Sequence, residues 1–153
     1  MNFVPVVVLL CLSLPVFSAT AQNTAQCPSL PSDSNLQWQE RASDDLLVCR
    51  ASTGEGREVM SLMLTRNDPD IPLTRALRQE RDSFAGERMY WYQPDLGGQE
   101  PPGFADRRIS VVKIDKDRYV QLSLYPVSSE ERSGLQQMVR GMNLTPAAVA
   151  AGR

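Results

Sequence analysis

Arg108–Tyr125, RISVVKIDKDRYVQLSLY, is the stretch whose reading decides the fold. Two runs rich in Val, Ile, Leu and Tyr, Arg108 to Ile114 and Tyr119 to Tyr125, flank the polar tetrapeptide Asp115-Lys116-Asp117-Arg118. Strand formers on both sides of a short polar turn predict a β-hairpin. On the second arm Val120, Leu122 and Leu124 alternate with Tyr119, Gln121, Ser123 and Tyr125, so one face is apolar and the other is not. Such a hairpin needs cover on its apolar face, and the following residues supply it. Ser128-Ser129-Glu130-Glu131 matches a capping box, in which the Ser128 hydroxyl and the Glu131 carboxylate satisfy each other's backbone donors. Leu135, Met138, Val139 and Met142 then form the apolar stripe of a helix running Ser128 to Leu144.

Upstream, Leu36 to Glu40 alternates apolar and polar residues, Ser43-Asp44-Asp45 turns the chain, and Leu46 to Arg50 resumes with strand formers, which predicts another hairpin. Val59 to Thr65 places Met60, Leu62 and Leu64 on one face of a third strand. After the turn-rich Asn67 to Pro72, residues Leu73, Ala76, Leu77 and Phe84 recur at helical spacing. The spacing predicts an amphipathic helix ending near Gly86, with Arg75, Arg78 and Arg81 on its solvated side. Met89 to Tyr92 reads as a short strand, and Pro94 to Phe104, with three Pro and three Gly, as a long loop. Successive hairpins require antiparallel pairing. The expected class is therefore α+β, an antiparallel sheet of about six strands in two or three hairpins, covered by two amphipathic helices, over residues 35–144.

This element order, with a long loop before the last hairpin and a closing helix from Ser128 to Leu144, resembles the PsbP-like fold family. The resemblance implies a binding protein, exported or associated with the envelope, without a catalytic motif.

The amino terminus carries its own message. Phe3 to Phe17 is an apolar run followed by the small residues Ser18-Ala19-Thr20-Ala21, the spacing that a signal peptidase reads. Residues 1–21 are expected to be a cleaved signal peptide. The run is shorter than the roughly 20 residues that a spanning helix requires, so no stable membrane anchor is expected after cleavage. The mature protein would reside in the periplasm or be secreted. Residues 22–34, rich in Ser, Pro and Asn, are expected to form an extended lead-in, and 145–153 a frayed tail. Cys11 leaves with the leader. Cys27 and Cys49 remain as an even pair in an oxidising compartment, where one intramolecular disulfide is the simplest outcome.

Composition excludes several functions. With 16 basic and 18 acidic residues the formal charge is -2, which gives no electrostatic reason to expect nucleic acid as a partner. The chain has no His, which removes the usual general base and the commonest zinc ligand. No spacing of residues marks a catalytic centre, a metal site or a cofactor. Asp68-Pro69-Asp70 and Asp115-Lys116-Asp117 lack the Gly and distal Glu of a calcium loop and read as turns. The expected function is that of an exported, non-catalytic binding protein acting on an envelope protein, as an immunity or inhibitor protein or an accessory factor. The alternatives are a small-ligand or lipid-binding module and a hydrolase that uses carboxylates alone. The expected contact surface is the aromatic loop region: Tyr90, Trp91, Tyr92, Phe104, Arg107 and Arg108. Aromatics and Arg are the residues that interfaces favour. Plain strand alternation predicts instead that Met89 and Trp91 face the core while Tyr90 and Tyr92 line the outer face. The sequence is silent on oligomeric state.

Overall fold

The computed structural model describes residues 26–144; the expected signal peptide 1–21, the first four residues of the expected lead-in, 22–25, and the tail 145–153 lie outside them. Seven strands form one antiparallel sheet: β1 (Leu36–Ser43), β2 (Leu46–Thr53), β3 (Glu58–Thr65), β4 (Arg78–Phe84), β5 (Glu87–Tyr92), β6 (Arg108–Asp115) and β7 (Arg118–Leu124). One helix, α1 (Ser129–Gly141), closes the described chain. The spatial order is β1-β2-β3-β7-β6-β5-β4. Two meanders, β1 to β3 and β4 to β7, thus meet where β3 pairs with β7.

The terminal hairpin forms as its sequence predicts, with Leu122 opposite both Leu62 and Ser110, and Val120 opposite Leu64 and Val112. These positions, with Leu47, Cys49 and Ala51 of β2 and Met89 and Trp91 of β5, face α1 and make the core with its Leu135 and Val139. The helix begins at Ser128, whose hydroxyl accepts from the Glu131 amide at 3.1 Å. The Glu131 carboxylate accepts from Val127 N at 2.7 Å, one residue before the donor that the capping box implies. The described part of the lead-in, residues 26–34, has no regular structure and is held against β1 and β2. Trp38 Nε1 donates to the Pro28 carbonyl at 2.6 Å, and Cys27 is bonded to Cys49 in the expected disulfide.

The second expected helix does not exist. Arg75–Leu77 makes a single 3-10 turn, and Arg78–Phe84 is β4, an edge strand. Ala85 and Gly86, at φ 49° and 84°, form the two-residue connection to β5, where positive φ at both positions matches the twist of a hairpin. Among the described residues the sheet accordingly has seven strands, and one helix covers it. The physical reason lies in the inward side of β4, which carries Glu80 and Asp82 ahead of Phe84. A strand that is polar on both faces has no apolar alternation, and inward charges are a known protection of sheet edges against unwanted pairing.

The connection from β3 to β4 is long. It leaves β3 at the end of the sheet formed by the Asp44-Asp45 and Lys116-Asp117 turns and enters β4 at the opposite end, four strand positions away. It must therefore pass over the sheet. Ile71, Leu73 and Leu77 of this segment are half-buried and are not among the residues that pack on the core beneath α1.

Candidate functional site

Strand alternation in β5 sorts the expected contact residues. Met89 and Trp91 point into the core, Trp91 with none of its surface exposed, while Tyr90 and Tyr92 point out and are half-buried. Trp91 Nε1 donates to Asp82 Oδ2 at 2.9 Å. Phe104, in the 3-10 turn Phe104–Asp106 at the end of the loop, is 1% exposed. Arg108, first residue of β6, is 4% exposed and forks onto Glu80: Nε donates to Oε2 at 2.8 Å and Nη2 to Oε1 at 2.9 Å. Its Nη1 donates to the carbonyls of Ala105 and Arg107, both at 2.8 Å. Three of the six expected contact residues, Trp91, Phe104 and Arg108, are therefore internal in this fold. They hold the surface in place; Tyr90, Tyr92 and Arg107 are the members that a partner can touch.

Beneath the surface the helix is tied to the edge strand by ions. Arg132 Nη1 donates to Asp106 at 2.7 Å while its Nε lies 3.8 Å from Glu80, Gln136 Nε2 donates to Glu80 at 3.3 Å, and Arg140 Nε donates to Asp82 at 2.7 Å. Burial pushes the carboxyls of Glu80 and Asp82 up, but their partners outweigh it. The hydrogen bond and charge of Arg108, with the charge of Arg132, leave Glu80 below its ordinary 4.5. Arg140, Trp91 and the Ser83 amide leave Asp82 below its ordinary 3.8. Both acids are thus ionised at neutral pH, and neither has the raised pKa of a general acid.

A lowered carboxyl pKa stabilises the fold above the unfolded value, and the contribution disappears as pH falls through the folded value. Stability should therefore be flat near neutrality and decline as pH drops below about 4.5. Urea midpoints measured from pH 7 to pH 3 check this, and Glu80→Gln should flatten part of the decline. A midpoint that rises on acidification would contradict the network.

On the outside, a bulge between Arg78 and Arg81 sets the patch. Arg78 is opposite Tyr92 and Arg81 opposite Tyr90, so two β4 residues oppose Trp91 and both arginines reach the outer face. The Arg78 guanidinium lies 4.0 Å from the Tyr90 ring centroid and 5.8 Å from that of Tyr92. Nearby, Arg57, Glu58, Gly103, Arg107, Tyr125 and Val127 line an open cleft of about 380 Å³ at the same end of the sheet. Arg107 sits 5.7 Å from the Phe104 ring and 5.5 Å from that of Tyr125, and Arg57 is paired with Glu131. Among the described residues, no cluster of three His, Cys, Asp or Glu could hold a metal ion, and no helix is long and apolar enough to cross a membrane.

No family model, curated protein or solved structure matches the chain. Sequence reasoning missed Arg78, Arg81, Arg57 and Tyr125 as surface partners of the tyrosines. The first two were placed on a helix that does not form. Tyr125 was placed correctly on the outer face, but its neighbours Arg57 and Arg107 arrive only through the tertiary fold.

Proposed function

We propose that this is an exported, non-catalytic binding protein of the periplasm or cell exterior, which loses residues 1–21 and acts on a protein partner as an immunity or inhibitor protein or an envelope accessory factor. The observation that carries this reading is the outer face of the β4–β5 hairpin. Tyr90, Tyr92, Arg78 and Arg81 stand side by side there, braced from within by the fully buried Trp91. Large, stiff side chains on a rigid support are what protein interfaces use as anchors. The Cys27–Cys49 disulfide supports an oxidising compartment. The two acids with the most partners, Glu80 and Asp82, are engaged by arginines, which favours binding over carboxylate-only hydrolysis. The long loop before the last hairpin and the closing helix are the features shared with PsbP-like folds, and a fold of that kind is part of the proposal. A second reading, a small-ligand module, is favoured by the cleft between Arg57 and Arg107.

Capture from envelope extract tests the proposal. The mature protein, beginning at Gln22, should retain one stoichiometric partner, and Tyr92→Ala should weaken retention while leaving the fold intact. Purified protein that still begins at Met1, or that captures nothing, would contradict it. A small molecule retained in native mass spectrometry would move the assignment to the cleft.

A further inference from the structure

Among the described residues, five arginines are paired with carboxylates; the other cations are not, and three of these stand together on one hairpin. Arg57, Arg66, Arg108, Arg132 and Arg140 each lie within 4.0 Å of a carboxylate. Arg78, Arg81 and Arg88, all exposed on the outer face of the β4–β5 hairpin, have no carboxylate at that distance among the described residues. The same two strands supply the reason. Glu80 and Asp82 turn inward and are held by Arg108, Arg132 and Arg140, and Glu87 stands opposite the inward-facing Phe84. The paired outward positions of the hairpin are all Arg, Tyr or Ser: Ser83 faces Arg88, Arg81 faces Tyr90, and Arg78 faces Tyr92. One element presents negative charge to its own helix and bare positive charge to solvent.

We infer that this face is the docking site for an acidic segment of the protein partner. The inference rests on the binding role proposed above and names the chemistry of what is bound. Successive outward positions along a strand are about 7 Å apart, which is also the spacing of every second side chain in an extended segment. Asp or Glu at alternate positions of such a segment meets one arginine after another, and the planar guanidinium takes a carboxylate in two parallel hydrogen bonds. The Tyr92 hydroxyl, to which Arg78 Nη2 donates at 3.4 Å, lies at one end of the row. The bulge at Arg78–Arg81 and the inward charges disfavour strand addition at the β4 edge, so the segment docks through side chains on the face.

Two other polyanions fit less well. Single-stranded nucleic acid would stack its bases on aromatic rings, but the Tyr90 ring is already covered by Arg78. An anionic membrane would draw in apolar side chains beside the cations, whereas the exposed large apolar residues Leu46, Leu96 and Val127 belong to other parts of the molecule.

The test uses the full mature protein and an extended synthetic peptide of alternating Glu and Ser. The peptide should bind at low ionic strength and weaken as salt screens the charges. Arg78→Ala combined with Arg81→Ala should lower affinity about fivefold or more, as expected for two exposed ion pairs. Arg41→Ala with Arg50→Ala, two exposed arginines of β1 and β2 on the same side of the sheet, should leave it unchanged. All four residues are exposed, so the variants should retain the fold and the disulfide. No binding of the peptide, equal loss in both double variants, or tighter binding of a thymidine oligonucleotide or of phosphatidylglycerol vesicles would overturn the inference. An envelope partner that is captured undiminished by the Arg78/Arg81 variant would leave the binding role standing and remove only this site; no capture by any form would remove the role itself.

Discussion

Trp91→Ala is expected to lower the unfolding free energy by about 4 kcal/mol, the usual cost of emptying a large aromatic site in a core. Trp91 is the largest of the fully buried side chains among the described residues, and its indole N–H donates a hydrogen bond to Asp82. The substitution leaves a cavity beneath the sheet and takes a donor away from a carboxylate whose side chain is only 3% exposed. Urea denaturation monitored by circular dichroism measures the loss. Tyr92→Ala, on the same strand but facing out, should cost about 1 kcal/mol or less, in the range of surface changes that disturb no core. Equal effects at the two positions would contradict the orientation of β5.

Replacing both Cys27 and Cys49 with Ala should cost about 3 kcal/mol by loop-closure entropy, since the bond closes a loop with a sequence separation of 22. The consequence is local as well as global. Cys49 is fully buried in the middle of β2, and the bond holds the lead-in so that the Pro28 carbonyl can receive the Trp38 indole. Amide exchange should therefore rise first along residues 26–35 and the adjoining β1. An unchanged urea midpoint in the double variant would show that packing alone secures this segment.

How much of this was legible in the sequence follows from how each element is buried. The hairpin β1–β2, the strands β3 and β7 and the helix α1 each have one more apolar side, and their periods of 2 or 3.6 show it directly; β6 was legible as a strand from its Val and Ile content rather than from alternation, since it buries Arg108 and Ser110. In β4, RQERDSF, both sides are polar, and Arg, Gln and Glu are good helix formers. Nothing local distinguishes it from a solvated helix, because its inward acids are matched by Arg108, Arg132 and Arg140 from β6 and α1. The one local signal was the Ala85-Gly86 pair, which suits a two-residue hairpin turn as well as the end of a helix. In the candidate site, alternation sorted Trp91 from Tyr90 and Tyr92 correctly. The bulge that sends both Arg78 and Arg81 outward is a property of pairing with β5, and the sequence of β4 carries no mark of it. Arg108 looked like an exposed interface residue for a similar reason, since its carboxylate partner lies 28 residues away in a segment expected to be helical.

Site-specific photo-cross-linking from position 92, with a benzophenone amino acid in place of Tyr92, tests most directly whether the outer face of the β4–β5 hairpin is the working surface. In cells exporting the protein, one discrete cross-linked species should form and should vanish when Arg78→Glu and Arg81→Glu are added. The absence of any species from position 92, or one that persists unchanged with both arginines reversed, would contradict the assignment of this face.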